Sequence, residues 1–374
     1  MKNKILALVV LVVIAVLVMG YVYQSELRRA RMMATLFTGA EQYQNFGRVT
    51  EFFPFSTMRA APDPQPFPEN LGLQLPKTFP YRDQTVDVTT FLESTDTSAL
   101  LVLSNGKIVF EQYWLTGGPQ VNWLSMSVAK SFISAGIGVA VKEGLIDIQK
   151  PISDYVPSLL GSAYDGAKIK DVLQMSSGAA WNEDYGDRTS DVNRLGMLLA
   201  LGGVAGDFVA SLQREFEPGT VNRYNSADSQ ALGMLLAAAT GRSVTDYLTQ
   251  KIWHPLGMES NGYWLTDSAG VELAFFGLNV TASDYARLGE LYRLGGTWGD
   301  QQIVSKDWVQ TSTVPDAPHV MPGVHEDFPL GYGYQWWVPE SSEGEYAAIG
   351  VYNQFIFVNP SRDLVIVKLS VNSD

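Results

Sequence analysis

Apolar positions along the chain recur with two different periods. Between Ala99 and Tyr113 they alternate in two short runs, Ala99 to Leu103 and Ile108 to Tyr113, separated by Asn105-Gly106. That spacing predicts a β-hairpin closed by a tight turn. After Ser127 the period changes: Phe132, Ile133, Ile137, Val139, Ala140 and Val141 fall almost all round a helical wheel, which predicts a helix buried in a core. Helical spacing continues over Ile169 to Met175, Asp191 to Leu201, Phe208 to Gln213, Ala227 to Thr240, Val244 to Ile252 and Ala282 to Leu294, with Gly241 and Gly295-Gly296 as stops. Late in the chain, Tyr332 to Val338, Tyr346 to Gly350, Gln354 to Val358 and Leu364 to Leu369 read as strands. Strands at both ends with helices between them predict an α+β domain whose terminal segments complete one antiparallel sheet flanked by helices.

Two upstream stretches depart from this pattern. Ile5 to Tyr23 is nineteen uncharged residues rich in Leu, Val and Ile, preceded by Lys2 and Lys4. That length nearly spans a bilayer, and Val18 to Tyr23 offers no small-x-small cleavage site. The expectation is an uncleaved, single-pass transmembrane signal anchor over 1–27, with the folded domain extracytoplasmic (periplasmic). Charge does not fix the orientation, because Lys2 and Lys4 compete with Arg28, Arg29 and Arg31. Six prolines between Ala60 and Tyr81 make 28–80 a linker or wrapping arm, and leave 81–374 as the folded domain.

Composition narrows the chemistry. The 374 residues contain no cysteine, which excludes disulfides, thiol catalysis and cysteine-ligated metals. Net charge is -13, and Met1 to Arg31 carry five basic residues and one acidic. The remainder is therefore strongly acidic, a poor partner for nucleic acid or a polyanionic substrate.

Against that background, Ser127 and Lys130 stand out at the start of the buried helix. Residues three apart on a helix share a face with β-carbons about 5–6 Å apart, within hydrogen-bond reach. A serine hydroxyl becomes a nucleophile when a neighbouring base takes its proton, and a lysine serves as that base when burial lowers its pKa. The alternative is a helix cap followed by a solvated lysine. Ser104-Asn105-Gly106-Lys107 has the same Ser-x-x-Lys spacing but lies in the hairpin turn, so the motif alone is weak.

Four motifs in this order resemble the serine β-lactamase and penicillin-binding-protein superfamily, and within it the class C β-lactamase-like esterases and amidases. They are Ser127-Val128-Ala129-Lys130, Leu173 to Gly178, Pro218-Gly219 followed by Tyr224-Asn225-Ser226, and Pro255-Leu256-Gly257-Met258. The likeness runs from about Leu100 to the C-terminus. It implies a β-lactamase/transpeptidase-like fold with a mostly helical subdomain, and a covalent acyl-enzyme on Ser127 with Lys130 and Tyr224 moving the proton. A tyrosine near a lysine amine has its phenolate stabilised, which would suit Tyr224 to proton transfer despite an ordinary pKa of about 10. The usual Tyr-x-Asn element here ends in Ser226, a departure that resembles the 6-aminohexanoate-dimer hydrolase and esterase branch. Lys-Thr-Gly on the strand beside the nucleophile is missing. The matching strand, Tyr346 to Gly350, has no cation, which weakens the expectation of β-lactamase activity. Its Ile349 backbone N–H, with that of Ser127, is the expected oxyanion hole. Relatives continue into a C-terminal helix, whereas this chain stops at Asp374. Either N-terminal segments cover that face or the fold is shortened.

Other residues complete the expected site. Trp181, Asp184, Tyr185, Ser226, Trp336 and Tyr352 are expected to line a pocket for an uncharged or amphipathic acyl chain, with Trp337 a further aromatic. His254, His319 and His325 show neither triad nor zinc spacing, so no metal or cofactor is expected. The partners expected are a small ester or amide substrate and, through the N-terminal helix, a membrane. Competing functions are a D-amino-acid peptidase, a β-lactamase, or a non-catalytic envelope protein that binds peptidoglycan.

Overall fold

Strands from both ends of the folded region meet in one sheet. Thr97–Ser104 and Lys107–Tyr113 pair antiparallel, and Asn105 and Gly106 between them have φ of 51° and 71°, the left-handed pair that a type I′ hairpin requires. Leu364–Ser370 adds to the other edge of Thr97–Ser104. Gln354–Asn359, Tyr346–Gly350, Trp337–Val338 and Gly331–Tyr332 then complete seven antiparallel strands. The expected α+β architecture is therefore present. The computed structural model describes residues 2–24, 27, 35–38, 42–324 and 328–372, side chains 2–4 and 7–8 apart. Arg28, Arg29, Arg31, His325 and Asp374, weighed above, lie outside the described residues, as do the side chains of Lys2 and Lys4.

Helix Ala282–Arg293 packs on one face of this sheet, over Val365, Val367, Ile356 and Val358, all buried. Contact is close because Gly289 has no side chain: a Cβ there would fall 2.6 Å from Val365 and 2.8 Å from Ile356. Helix Ala129–Lys142 is buried from Ala129 through Ala140, as its all-round apolarity predicts, and packs against Ser226–Thr240. Two elements differ from expectation. Tyr332 to Val338 is not one strand, because Gly333 N–H bonds Trp336 O at 2.8 Å and Gln335 takes φ 63°, folding it into a hairpin. Val244 to Ile252 is α-helical over Val244–Leu248 and then widens to a π turn over Thr249–Trp253.

The membrane anchor requires correction. Lys2–Val22 is helical, but among the described residues no helix is long and apolar enough to cross a membrane. The extracytoplasmic placement and the membrane as partner rested on that anchor and fall with it.

Upstream segments pack on the domain. Leu36, Phe46, Val49 and Phe53 are buried, and Phe55–Met58 pairs with Gly262–Leu265 in a four-stranded sheet that includes Trp123–Leu124. The proline-rich stretch is tied by Ala61 N–H to Met258 O at 2.9 Å and by Ile108 N–H to Pro68 O at 2.9 Å. Helix Val88–Ser94, capped by Asp87, lies over the opposite face of the seven-stranded sheet. There Lys368 is 7% exposed, its Nζ donating to Ser370 Oγ at 2.5 Å and lying 5.4 Å from the Phe91 ring centroid.

Burial pulls the Lys368 pKa down from 10.5 to about 7. The unfolded chain thus binds the extra proton between those values, so this group makes stability rise with pH across that window. Below it, the fold carries a desolvated ammonium at full cost. Lys368→Met is expected to raise Tm, most at pH values below the folded pKa and least at alkaline pH. Thermal melts across that range check this; a gain independent of pH, or a loss on the acid side, would contradict it.

Candidate active site

Ser127 sits in the 3-10 turn Met126–Val128 that leads into helix Ala129–Lys142. Met126 is held at φ 46°, a left-handed conformation that a side-chain-bearing residue adopts at a cost. Strand Tyr346–Gly350 approaches this turn so closely that a Cβ on Gly350 would lie 2.7 Å from Ser125 O and 3.0 Å from Ser127 N. Glycine at 350 lets the strand lie against the backbone of Ser127.

One turn along, Lys130 is 2% exposed. Its Nζ is 2.9 Å from Ser127 Oγ, 3.2 Å from Ser226 Oγ and 2.9 Å from Phe275 O. Tyr224 reaches the same point from nearly a hundred residues downstream: Lys130 Nζ lies 5.1 Å from its ring centroid, and both Ser127 and Tyr224 line the same cleft. The ring stacks on Trp337 at 5.1 Å and meets Tyr332 edge-on at 6.1 Å. Ser226 opens helix Ser226–Thr240, for which Asn225 is the cap, accepting from Ala227 N–H and Asp228 N–H.

Burial pulls the Lys130 pKa down to about 8, although the nearby Glu183 carboxylate pushes it the other way. Tyr224 shifts oppositely. Burial and Glu183 both hold its phenol protonated, and the nearby Ser127 hydroxyl offsets this in part. The expected stabilised phenolate is therefore corrected: burial and the Glu183 carboxylate both disfavour the anion.

Glu183 is the residue that the sequence did not disclose. Its carboxylate accepts from Ser226 Oγ at 2.6 Å, Ser226 N–H at 3.0 Å, Tyr185 OH at 2.7 Å and Trp181 Nε1. The available signal was the alternation Trp181-x-Glu183-x-Tyr185, which puts three side chains on one side of an extended loop. Asp184 points elsewhere and accepts from Gly186 N–H at 2.8 Å. In the Leu173 to Gly178 motif, Ser177 Oγ donates to the buried Asp228 at 2.6 Å and Tyr164 OH donates to it at 2.9 Å, so this motif fixes the helix that bears Ser226.

A cleft of about 890 Å³ opens over Ser127, lined also by Tyr185, Tyr224, Trp337, Ile349, Gly350 and Tyr352. Four expected lining residues are not among those that line it. Ser226 is buried beneath it, bonded to Glu183 and Lys130. Trp336 is fully buried, packed on Tyr292 and Tyr346 at 4.5 and 5.3 Å, because the turn at Gly333–Trp336 directs the next residue, Trp337, to the cleft. Trp181 is buried against Phe208 at 6.3 Å and contributes through Glu183. Asp184 is turned into its own loop. His254 and His319 lie off the cleft, and among the described residues no cluster of His, Asp and Glu could hold a metal ion.

Comparison with known proteins agrees with this fold. The family model described as Beta-lactamase matches residues 88–373. A 6-aminohexanoate-dimer hydrolase of Paenarthrobacter ureafaciens is 32% identical over 289 residues, covering 75% of this chain and 74% of that protein. Among solved structures, a candidate 6-aminohexanoate-dimer hydrolase from Bacillus anthracis superposes with TM-score 0.82 at 24% identity, covering 91% of each chain. EstCE1, a hydrolase with promiscuous acyltransferase activity, gives 0.63 at 17% identity, covering 76% of this chain and 91% of its own. The chain belongs to the β-lactamase family, as a serine hydrolase with a 6-aminohexanoate-dimer hydrolase among its relatives.

Proposed function

We propose that this chain cleaves an ester or linear amide through a covalent acyl-enzyme on Ser127, with Lys130 as the base and Tyr224 as a proton relay. The observation that carries this is the set of partners around Lys130 Nζ. Phe275 O can only accept. Ser226 Oγ gives its own proton to Glu183, so it also accepts from Lys130. A neutral amine has two N–H groups, and both are thus committed. Its lone pair is left facing Ser127 Oγ at 2.9 Å, which is the arrangement a general base needs.

Attack by Ser127 Oγ forms the new C–O bond while its proton passes to Lys130 Nζ. The Tyr224 hydroxyl hands a proton to the departing amine or alkoxide and is replenished from Lys130. The bond to the leaving group then breaks. Water reverses the sequence, returning the proton to Ser127 and releasing the acid. The Ser127 and Ile349 N–H groups are the proposed oxyanion hole, supported by the close approach of Gly350 to Ser127 N.

Strand Tyr346–Gly350 offers no cation, and Arg223, which lines the cleft, is paired with Glu215. A β-lactam carboxylate thus lacks the counter-charge it requires, whereas the aromatic lining suits an uncharged acyl chain. Name and sequence likeness to the Paenarthrobacter protein make a linear aminohexanoate dimer the first amide to try. The test is a panel of short p-nitrophenyl esters, that dimer, a D-Ala-D-Ala peptide and nitrocefin, with fluorophosphonate labelling mapped by peptide mass. Ester or dimer turnover with label on Ser127 is expected. Nitrocefin turnover faster than the ester would contradict the substrate assignment, and absence of any label would favour a non-catalytic, peptidoglycan-binding role.

Glu183→Gln separates charge from position. Removing the anion lets the Lys130 pKa fall further, so the acidic limb of kcat/KM is expected to move to lower pH. The rate should drop about tenfold, the worth of one charged hydrogen bond to Ser226. A pH–rate profile checks both, and a limb that stays or moves up would contradict the assignment of Glu183.

A further inference from the structure

The cleft rim opposite Ser127 is the turn between strands Tyr346–Gly350 and Gln354–Asn359, and it is a costly turn. Tyr352 and Asn353 both take left-handed backbone, with φ of 65° and 62°, which for a tyrosine must be stabilised by surrounding contacts. Part of that support comes from within the sheet: Gln354 Nε2 donates to Tyr352 O at 2.8 Å and Ser370 O at 2.7 Å. The rest comes from the N-terminal arm. The Phe37 ring stacks on Tyr352 at 4.7 Å and 10°, and Phe46 meets Tyr352 edge-on at 5.5 Å.

Phe46 also touches the other side of the site. Its ring lies 5.7 Å from Trp123, and its carbonyl accepts from Leu124 N–H at 3.0 Å, three residues before the nucleophile. Gln42 donates to Val371 O and Thr116 to Tyr43 O, tying the arm to segments that follow two strands of the sheet. The arm lies upstream of residues 88–373, which the family model matches.

We propose that this arm, through Phe37 and Phe46 behind Tyr352, positions the cleft rim and so sets the cleft's preference for substrates with an extended apolar acyl chain. The inference rests on the hydrolase assignment for its substrate, but not for its geometry. Phe37 is a positioning residue: it touches Tyr352, which lines the cleft, and is not itself among the lining residues. A short acyl group leaves the rim uncontacted. A long one lies against it.

The test uses the full chain with Phe37→Ala, Phe37→Tyr, Tyr352→Ala and the Phe37→Ala/Tyr352→Ala pair; Phe46 is avoided because it is wholly buried. Readouts are kcat and KM on p-nitrophenyl acetate and octanoate, and hydrogen exchange of residues 351–354. From the worth of one aromatic stack, Phe37→Ala is expected to raise KM for octanoate and speed exchange at the turn by about fivefold to tenfold, with kcat on acetate unchanged. Phe37→Tyr restores both. Tyr352→Ala reproduces the KM effect, and the double variant adds nothing to it. Unchanged exchange, an equal fall of kcat on both esters, or additive effects in the double variant would overturn the proposal. If the wild type cleaves neither ester and takes no label, the hydrolase assignment fails separately. The exchange at 351–354 then decides the arm's role on its own.

Discussion

Ser127→Ala is expected to abolish fluorophosphonate labelling and to lower ester turnover by about 10⁴-fold or more, as loss of a nucleophile does elsewhere. The change removes one oxygen from a site that is 7% exposed. It leaves Lys130 Nζ donating to Phe275 O and Ser226 Oγ, so the buried amine keeps its partners and the fold should melt no lower than the wild type. Intact mass and circular dichroism check both halves. Ser226 is the informative alternative, because its hydroxyl is the other one on Lys130, at 3.2 Å. Label that persists in Ser127→Ala and maps to Ser226 would reassign the nucleophile.

Lys130→Met is expected to cost about 10³-fold to 10⁴-fold in kcat/KM, the upper part of what a general base supplies. Methionine matches the length of the lysine stem and suits a pocket that already desolvates the amine, so folding should survive. A loss below tenfold in a folded protein would mean that another group takes the Ser127 proton. Tyr224 is the nearest candidate, but its phenol is held protonated by burial and by Glu183. In the proposed mechanism it is therefore a carrier of protons and a poor acceptor of the first one.

The site was legible in the sequence where it depends on short separations. Ser127 and Lys130 are three apart on a helix whose apolar wheel announces its burial, and the hairpin at Asn105-Gly106 exposes the second Ser-x-x-Lys as a turn. The sheet was legible from period-two runs at the two ends of the domain, although which runs pair was not, since Leu364–Ser370 joins Thr97–Ser104 across some 260 residues. Tyr224 came through resemblance, because a lone tyrosine carries no periodic signal. Glu183 was hidden: its partner Ser226 is 43 residues away, and only tertiary folding brings the loop back to the helix start. Trp336 and Trp337 could not be told apart because a two-residue strand after an unforeseen turn resets the inward and outward positions. The Phe37 and Phe46 contacts were equally hidden, since apolar residues scattered through an irregular segment show no period. The N-terminal apolar run showed its hydrophobicity plainly, and its spanning capacity was inferred from that alone.

The central claim is that a desolvated amine at Lys130 takes the proton of Ser127. The most direct test is the rate of Ser127 phosphonylation by a fluorophosphonate as a function of pH, in the wild type and in Lys130→Met. The wild-type rate is expected to rise with pH to a plateau with its midpoint near about 8, where burial places the Lys130 pKa, and the Lys130→Met rate to be low and flat. A wild-type rate that does not change with pH, or an ascending limb that survives in Lys130→Met, would contradict the account.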